Sequence, residues 1–293
     1  MDNLNDLTIE KMFNIPPLLP LKEDEYAVDG LPYCKKCKTA RFIDITTSDG
    51  ERHLIRTNCD CLEAELKKKQ QQEAIERRIA DFKKRQKLTM MGEKYLNARF
   101  NDAIITENNE KAYESARNYV LNAKQIRENN IGLYIYGDNS SGKTYLIACI
   151  CNALVELGYS CTFTSIPKLL AEINRKTREN GMSQAEIVDT LSKKSFVFID
   201  DLGKEFLGNR QDYEWVKAEK LLLEVLNARY GNGLPTIFTS NYSFEDFATK
   251  FGLDKAILER VNEMSTKVIK LEGDNFRDEA LQEKAKIADK LGI

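Results

Sequence analysis

The stretch Leu133-Tyr134-Ile135-Tyr136-Gly137-Asp138-Asn139-Ser140-Ser141-Gly142-Lys143-Thr144 decides the fold. Its first four residues read as a buried strand, the eight from Gly137 match G-x-x-x-x-G-K-[ST], and a helical pattern runs on to Leu157 before Gly158. A strand, a glycine-bearing loop and a helix in that order are the context that turns this pattern into a phosphate-binding loop. Glycines let successive backbone N–H groups turn inward on phosphate oxygens, and the helix N-terminus adds its dipole. Lys143 is then placed to reach the β- and γ-phosphates and Thr144 to offer its hydroxyl to Mg2+. Residues Gly137, Asp138, Asn139, Ser140, Ser141, Gly142, Lys143 and Thr144 are the expected ATP contacts. The competing reading, a tight strand–helix turn with a surface lysine, leaves that context unexplained.

Two later stretches complete the site. Phe196-Val197-Phe198-Ile199 reads as a buried strand that runs into Asp200-Asp201. Ligands bind at the C-terminal ends of strands in open α/β sheets. Asp200 is expected to hold Mg2+ through its water shell. Asp201 is expected to orient or deprotonate the attacking water, against the alternative of a turn or helix-cap acid. The strand Thr236-Ile237-Phe238-Thr239 leads to Ser240-Asn241, where a polar side chain can touch the γ-phosphate and the lytic water together. No arginine-rich lid of the kind that small-molecule kinases carry is visible, so hydrolysis is favoured over phosphoryl transfer to a metabolite. The sole histidine, His53, stands far from these motifs, which leaves acid–base work to carboxylates and water. Arg260 and Arg277 are candidates for the transition-state charge, and the default reading of each is a surface arginine. Supplied from a second copy, either makes activity depend on assembly.

The rest of the chain bounds this reading. Its 293 residues can bury a substantial core, and a formal charge of -2 argues neither for nor against nucleic acid. No apolar run approaches the roughly 18 residues of a membrane span, and the acidic N-terminus is unlike a secretory signal. A cytoplasmic protein with no membrane contact is expected, so its seven cysteines do not read as a disulfide framework. Three blocks emerge. Residues 1–61 open with Leu4, Leu7, Met12 and Phe13, break at Pro16-Pro17 and Pro20, and run into a cysteine module. Residues 62–91 hold nine Lys/Arg against five Asp/Glu with no glycine or proline, which reads as a charged helical linker. Its Lys67-Lys68-Lys69 run could attract phosphate, although a solvated spacer explains the composition as well. Residues 92–293 alternate helices and strands as one α/β domain with a parallel sheet flanked by helices.

In the first block, Cys34 and Cys37 form a C-x-x-C pair, and Cys59 and Cys61 a C-x-C pair, separated by 21 residues. Two close thiolate pairs at the ends of a hairpin can close a tetrahedron around zinc. Phe42–Ile45 and His53–Ile55, on either side of Ser48-Asp49-Gly50, supply that hairpin as in a zinc ribbon. Free thiols or a redox pair are the alternatives, and His53 could replace one cysteine. Four protein ligands leave no open position, so the expected Zn2+ is structural. Cys149, Cys151 and Cys161 read instead as small core residues.

Together Ile131–Thr144, Asp200-Asp201-Leu202-Gly203-Lys204-Glu205 and Thr239-Ser240-Asn241 resemble the DnaC/DnaI-type helicase loaders and their transposase-helper relatives of the IstB type. The resemblance runs from about Ala98 to Arg277. It implies an AAA+ fold, self-association with ATP at subunit boundaries, and ATP-driven delivery of a replicative DNA helicase onto single-stranded DNA. By matched position it makes Lys143 and Thr144 Walker A, Asp200 and Asp201 Walker B, Asn241 sensor 1, Arg260 the arginine finger and Arg277 sensor 2. The N-terminal region would grip the helicase. A transposase helper acting on duplex DNA, or a nucleotide-gated adaptor with negligible hydrolysis, are the other functions these residues admit; Asp201 in place of the commoner Glu keeps the second open. Ser140 stands where that family usually has a glycine, and Lys204 where it has a small residue.

Overall fold

The fold is that of a computed structural model, which describes residues 19–273 and 285–291. Arg277 and the stretch from Leu4 to Pro17 lie outside the described residues. The chain divides into two compact units, 1–79 and 80–293.

In the first unit, strands β1 (Glu25–Val28) and β2 (Leu31–Cys34) form an antiparallel hairpin. Its turn is Asp29-Gly30, both with positive φ, the dipeptide that matches the twist of a two-residue hairpin. A second hairpin pairs β3 (Phe42–Thr46) with β4 (Arg52–Arg56), Phe42 facing Arg56 and Ile45 facing His53. Little apolar surface is buried here, and an ion-pair cluster takes its place. Glu25 is 4% exposed and accepts from Arg56 Nη1 at 2.6 and 2.7 Å and from Arg41 Nη1 at 3.4 Å. Arg41, 3% exposed, also pairs with Asp24 at 2.6 Å. Helix α1 (Asp60–Lys87) begins one residue before Cys61, so the second cysteine pair straddles its start.

The second unit is built on a five-stranded sheet. P-loop strand β5 (Leu133–Tyr136), β6 (Cys161–Thr164), acid strand β7 (Phe196–Leu202), β8 (Thr236–Ser240) and β9 (Lys267–Lys270) lie in the order β6-β7-β8-β5-β9, all parallel. Alternation along each strand sends residues to opposite faces. Leu133, Ile135, Phe196, Phe198 and Ile237 enter one core, with helices α2 (Glu110–Leu121), α3 (Ala123–Glu128) and α4 (Lys143–Glu156). Tyr134, Val197, Ile199 and Phe238 enter the other. That second face is covered by α5 (Ile166–Asn180), α6 (Gln184–Ser192), α7 (Tyr213–Gly231), α8 (Phe244–Lys250) and α9 (Lys255–Met264). Ser243 and Asp254 cap α8 and α9, their side chains accepting from Asp246 N and Ala256 N. Cys149, Cys151 and Cys161 are buried.

Two buried polar side chains fix this unit. Asn152 of α4 donates to the carbonyls of Tyr95 and Ala98, each at 3.0 Å, and accepts from Gln86 Nε2 at 3.1 Å. The segment from Gln86 to Ala98 is thereby tied to the P-loop helix. Arg229 is fully buried at the end of α7, and its described partners are carbonyls and one hydroxyl. It donates to the carbonyls of Ser192 (2.9 Å), Lys194 and Pro235 and to Thr236 Oγ1 at 3.3 Å. Burial pulls its guanidinium down to about 9, still cationic at neutral pH. Arg229→Leu strands those carbonyls and is expected to cost ~3 kcal/mol or more, read by urea unfolding.

Candidate functional site: a phosphate-binding cleft beside the acid strand

Strand β8 lies between β5 and β7, so the ends of three neighbouring strands bring their residues to one place. From β5 the chain enters the loop at Gly137. A Cβ there would fall 2.1 Å from the Leu271 carbonyl, so only glycine lets the end of β9 lie against the loop. Ser140 (φ +70°) and Gly142 (φ +91°) are both left-handed. The loop therefore keeps its curl at Ser140 without a glycine, at a local backbone cost. Lys143 Nζ donates to the carbonyls of Gly137 (2.8 Å) and Asp138 (2.7 Å), within the loop it serves. Burial lowers its pKa, and the neighbouring Asp201 and Asp200 oppose that shift. Ser141 Oγ is buried without a hydrogen-bond partner, as a loop shaped for an anion would leave it.

The acid pair sits in an irregular stretch of β7. Its register against β8 shifts between Ile199 and Leu202, and Asp201 takes φ +58°. One hydroxyl organises this bulge. Thr239 Oγ1 donates to Asp200 Oδ1 at 2.6 Å and accepts from Asp201 N at 2.9 Å. Thr144 Oγ1 donates to the same Asp200 oxygen at 3.2 Å. Burial raises the pKa of Asp200, while the Thr239 and Thr144 hydroxyls favour its charged form. A buried carboxylate beside a threonine hydroxyl is a hard-oxygen donor set that fits Mg2+, whose charge would offset the burial cost. Asp201 is bound by Lys204 Nζ at 2.6 Å.

Lys143, Thr144, Asp201, Lys204 and Asn241 line a cleft of about 270 Å³. Tyr95, Asp102, Ile104 and Tyr113 form another part of its lining, apolar enough to take a flat base beside the phosphate loop. Of the expected residues, Asn139, Ser140, Gly142, Lys143, Thr144, Asp201 and Asn241 thus converge on the cleft, and Asp200 joins them through the bond it accepts from Thr144. Arg260 does not line the cleft. Its guanidinium lies 3.9 Å from the centre of the Tyr230 ring and bonds Glu263 at 2.7 Å and Asn227 at 3.3 Å. Thr239, the tyrosine pair and the part played by Lys204 escape a motif search. A threonine inside an apolar strand carries no local signal, and Tyr95 and Tyr113 reach the cleft only through tertiary folding.

A profile described as "IstB-like ATP binding protein" matches residues 66–285. The chain belongs to that family. Its similarity to the replicative helicase loader DnaI of Bacillus subtilis (strain 168) is 28% identity over 156 residues, 50% of this chain and 47% of DnaI. With the replicative helicase loader DnaC of Escherichia coli (strain K12) it is 25% over 153 residues, 52% of this chain and 58% of DnaC. The chain spans about half the length of these curated relatives. A crystal structure of the DnaC helicase loader superposes with TM-score 0.51 at 22% identity, over 62% of this chain and 100% of that one. That likeness shows the fold, an AAA+ α/β domain. No described helix is long and apolar enough to cross a membrane.

In the first unit Cys34, Cys37, Cys59 and Cys61 come together with all four Sγ atoms within 4.8 Å of one another. Sulfur separations are 3.2 Å for Cys59–Cys61, 3.4 Å for Cys37–Cys61 and 3.5 Å for Cys34–Cys61. Tetrahedral zinc thiolate at about 2.3 Å needs sulfurs about 3.8 Å apart, a small expansion. Arg41 Nη2 lies 3.4 Å from Cys34 Sγ and would offset the charge of four thiolates. His53 is outside this cluster, 54% exposed beside Glu51. The residues fit zinc.

Glu205 yields a pH prediction. Burial pushes its carboxyl up to about 7, and the Gly203 N–H that Oε2 accepts at 3.1 Å opposes the shift. Because the folded chain keeps a proton that the unfolded chain loses from about pH 4.5, stability falls as pH rises from there to about 7. Glu205→Gln is expected to gain about 2 kcal/mol at pH 8 and almost nothing at pH 5, read by paired melts. For the cysteine cluster, elemental analysis is expected to find one zinc per chain. Cys37→Ser or a strong chelator should remove it and open residues 19–60 to protease while the second unit stays resistant.

Proposed function

We propose that this chain is an AAA+ ATPase that binds a replicative DNA helicase and loads it onto single-stranded DNA. The observation that carries this reading is one cleft lined by the phosphate loop, Asp201 and Asn241, with Asp200 bonded to Thr144 beside it, in a chain similar to two replicative helicase loaders. Lys143 binds the β- and γ-phosphates of ATP. Thr144 and Asp200 are the residues that would hold Mg2+, which when bound supplies charge neutralisation at the phosphates. Asp201 and Asn241 orient the water, and Arg260, which does not line the cleft of its own chain, acts from a neighbouring copy. Arg277 serves as sensor 2. Residues 1–61, with the zinc-ribbon-like module that carries the four cysteines, form the partner-binding region, 62–91 the linker and 92–293 the ATPase domain. The protein works in the cytoplasm.

The family description favours a second reading, a transposase-helper ATPase on duplex DNA. Pulldowns with a replicative helicase separate the two. Nucleotide-dependent capture supports the loader; filaments on duplex DNA with no helicase contact at any nucleotide state support the helper. Steady-state assays address hydrolysis itself. Asp201→Asn is expected to lower kcat by about a hundredfold. Equal, very slow turnover in wild type and variant, with ATP still altering partner binding, would make the chain a nucleotide-gated adaptor instead.

A further inference from the structure

Lys204 is a residue the ATP-site reading leaves without a task. It lines the same cleft as Lys143, Asp201 and Asn241, and its ammonium is paired with Asp201 Oδ2 at 2.6 Å. Its backbone is fixed. Gly203 before it takes φ +106° with its Cα against the Phe251 ring, where a Cβ would meet Cε2 at 3.0 Å. Glu205 after it accepts from Gly203 N at 3.1 Å, and Phe206 is buried against Trp215. The side chain, by contrast, reaches solvent, at 45% exposed, and its ammonium is held by the Asp201 pair. Its charge is felt across the cleft: after burial and the two aspartates it contributes to the lowering at Lys143, and it opposes the burial-driven rise at Asp200.

This geometry gives Lys204 two competing acceptors. One is the Asp201 carboxylate it already holds. The other is the outermost phosphate of a nucleoside triphosphate drawn in by Lys143, which brings more negative charge than a single carboxylate into the cleft beside Asn241. A diphosphate ends one phosphate short of that position. We infer that Lys204 is a triphosphate-sensing residue that exchanges its ion pair with Asp201 for the terminal phosphate, so that the cleft discriminates ATP from ADP and Asp201 is released only when ATP is bound. The inference rests on reading the cleft as an ATP site and adds a specificity-determining contact to it. No bond is made or broken in the exchange; an ammonium changes partner.

Equilibrium titration of the full chain with Mg-ADP and with the non-hydrolysable β,γ-imido analogue of ATP tests this without needing turnover. Lys204→Met removes one charge-assisted hydrogen bond to phosphate and is expected to weaken the analogue about tenfold while ADP changes by less than about twofold. Lys204→Arg should recover most of the lost preference. Asp201→Asn deletes the competing acceptor and is expected to tighten the analogue more in the wild-type background than in Lys204→Met, whereas relief of carboxylate–phosphate repulsion alone acts equally in both. An unchanged ratio of analogue to ADP affinity in Lys204→Met, or equal losses for both nucleotides, overturns the inference. Should Lys204→Met not fold, Lys204→Gln decides by the same ratio: a loss confined to the analogue supports the exchange, and an unchanged ratio refutes it. A wild-type chain that binds neither nucleotide defeats the ATP-site reading and the inference with it.

Discussion

The Thr239 hydroxyl is the small contact on which the cleft depends. It is buried at the end of a central strand, gives its proton to Asp200 and takes one from the Asp201 amide. Two acids in succession on one strand would ordinarily point to opposite faces of the sheet. Here the bulge turns Asp201 through the left-handed region, and a hydroxyl from the neighbouring strand bonds both residues. That is possible only because β8 is inserted between β5 and β7. Strand order, bulge and acid placement are therefore one arrangement.

Much of this was legible in the sequence because the decisive signals are local. The loop Gly137–Thr144, the apolar run into Asp200 and the polar end at Asn241 each announce a strand terminus, and all three converge. Ser140 left the curl of the loop in question, and its φ of +70° shows a serine taking a glycine's conformation. The four cysteines were legible for the same reason, as ligand spacing is written along the chain. The first hairpin was not read, since β1 and β2 are four residues each and only the Asp29-Gly30 turn marks them. Nor was the link from residues 86–98 to the rest of the second unit, which rests on buried Gln86, Thr89 and Met91 at the end of a stretch whose composition says only "charged helix". Fully buried Arg229 is invisible by composition, because arginine is normally a surface residue.

The two units solve the same problem by different means. The sheet domain buries two apolar layers, whereas the cysteine module encloses Glu25 and Arg41 at 4% and 3% exposure and gathers four thiols. So small a unit cannot build a sufficient apolar core, and cross-linking through a metal is the usual remedy. Its ion pairs then act as orientation for the thiols: Arg41 reaches Glu25, Asp24 and Cys34 at once.

The Asn152 bonds bear on how a nucleotide gets in and out. One amide joins the helix that follows the phosphate loop to the carbonyls of Tyr95 and Ala98, and Tyr95 belongs to the lining of the cleft. Floor and wall consequently travel as a single body. Entry and exit cannot work by the wall swinging away from the floor, because that would leave buried carbonyls and an amide without partners.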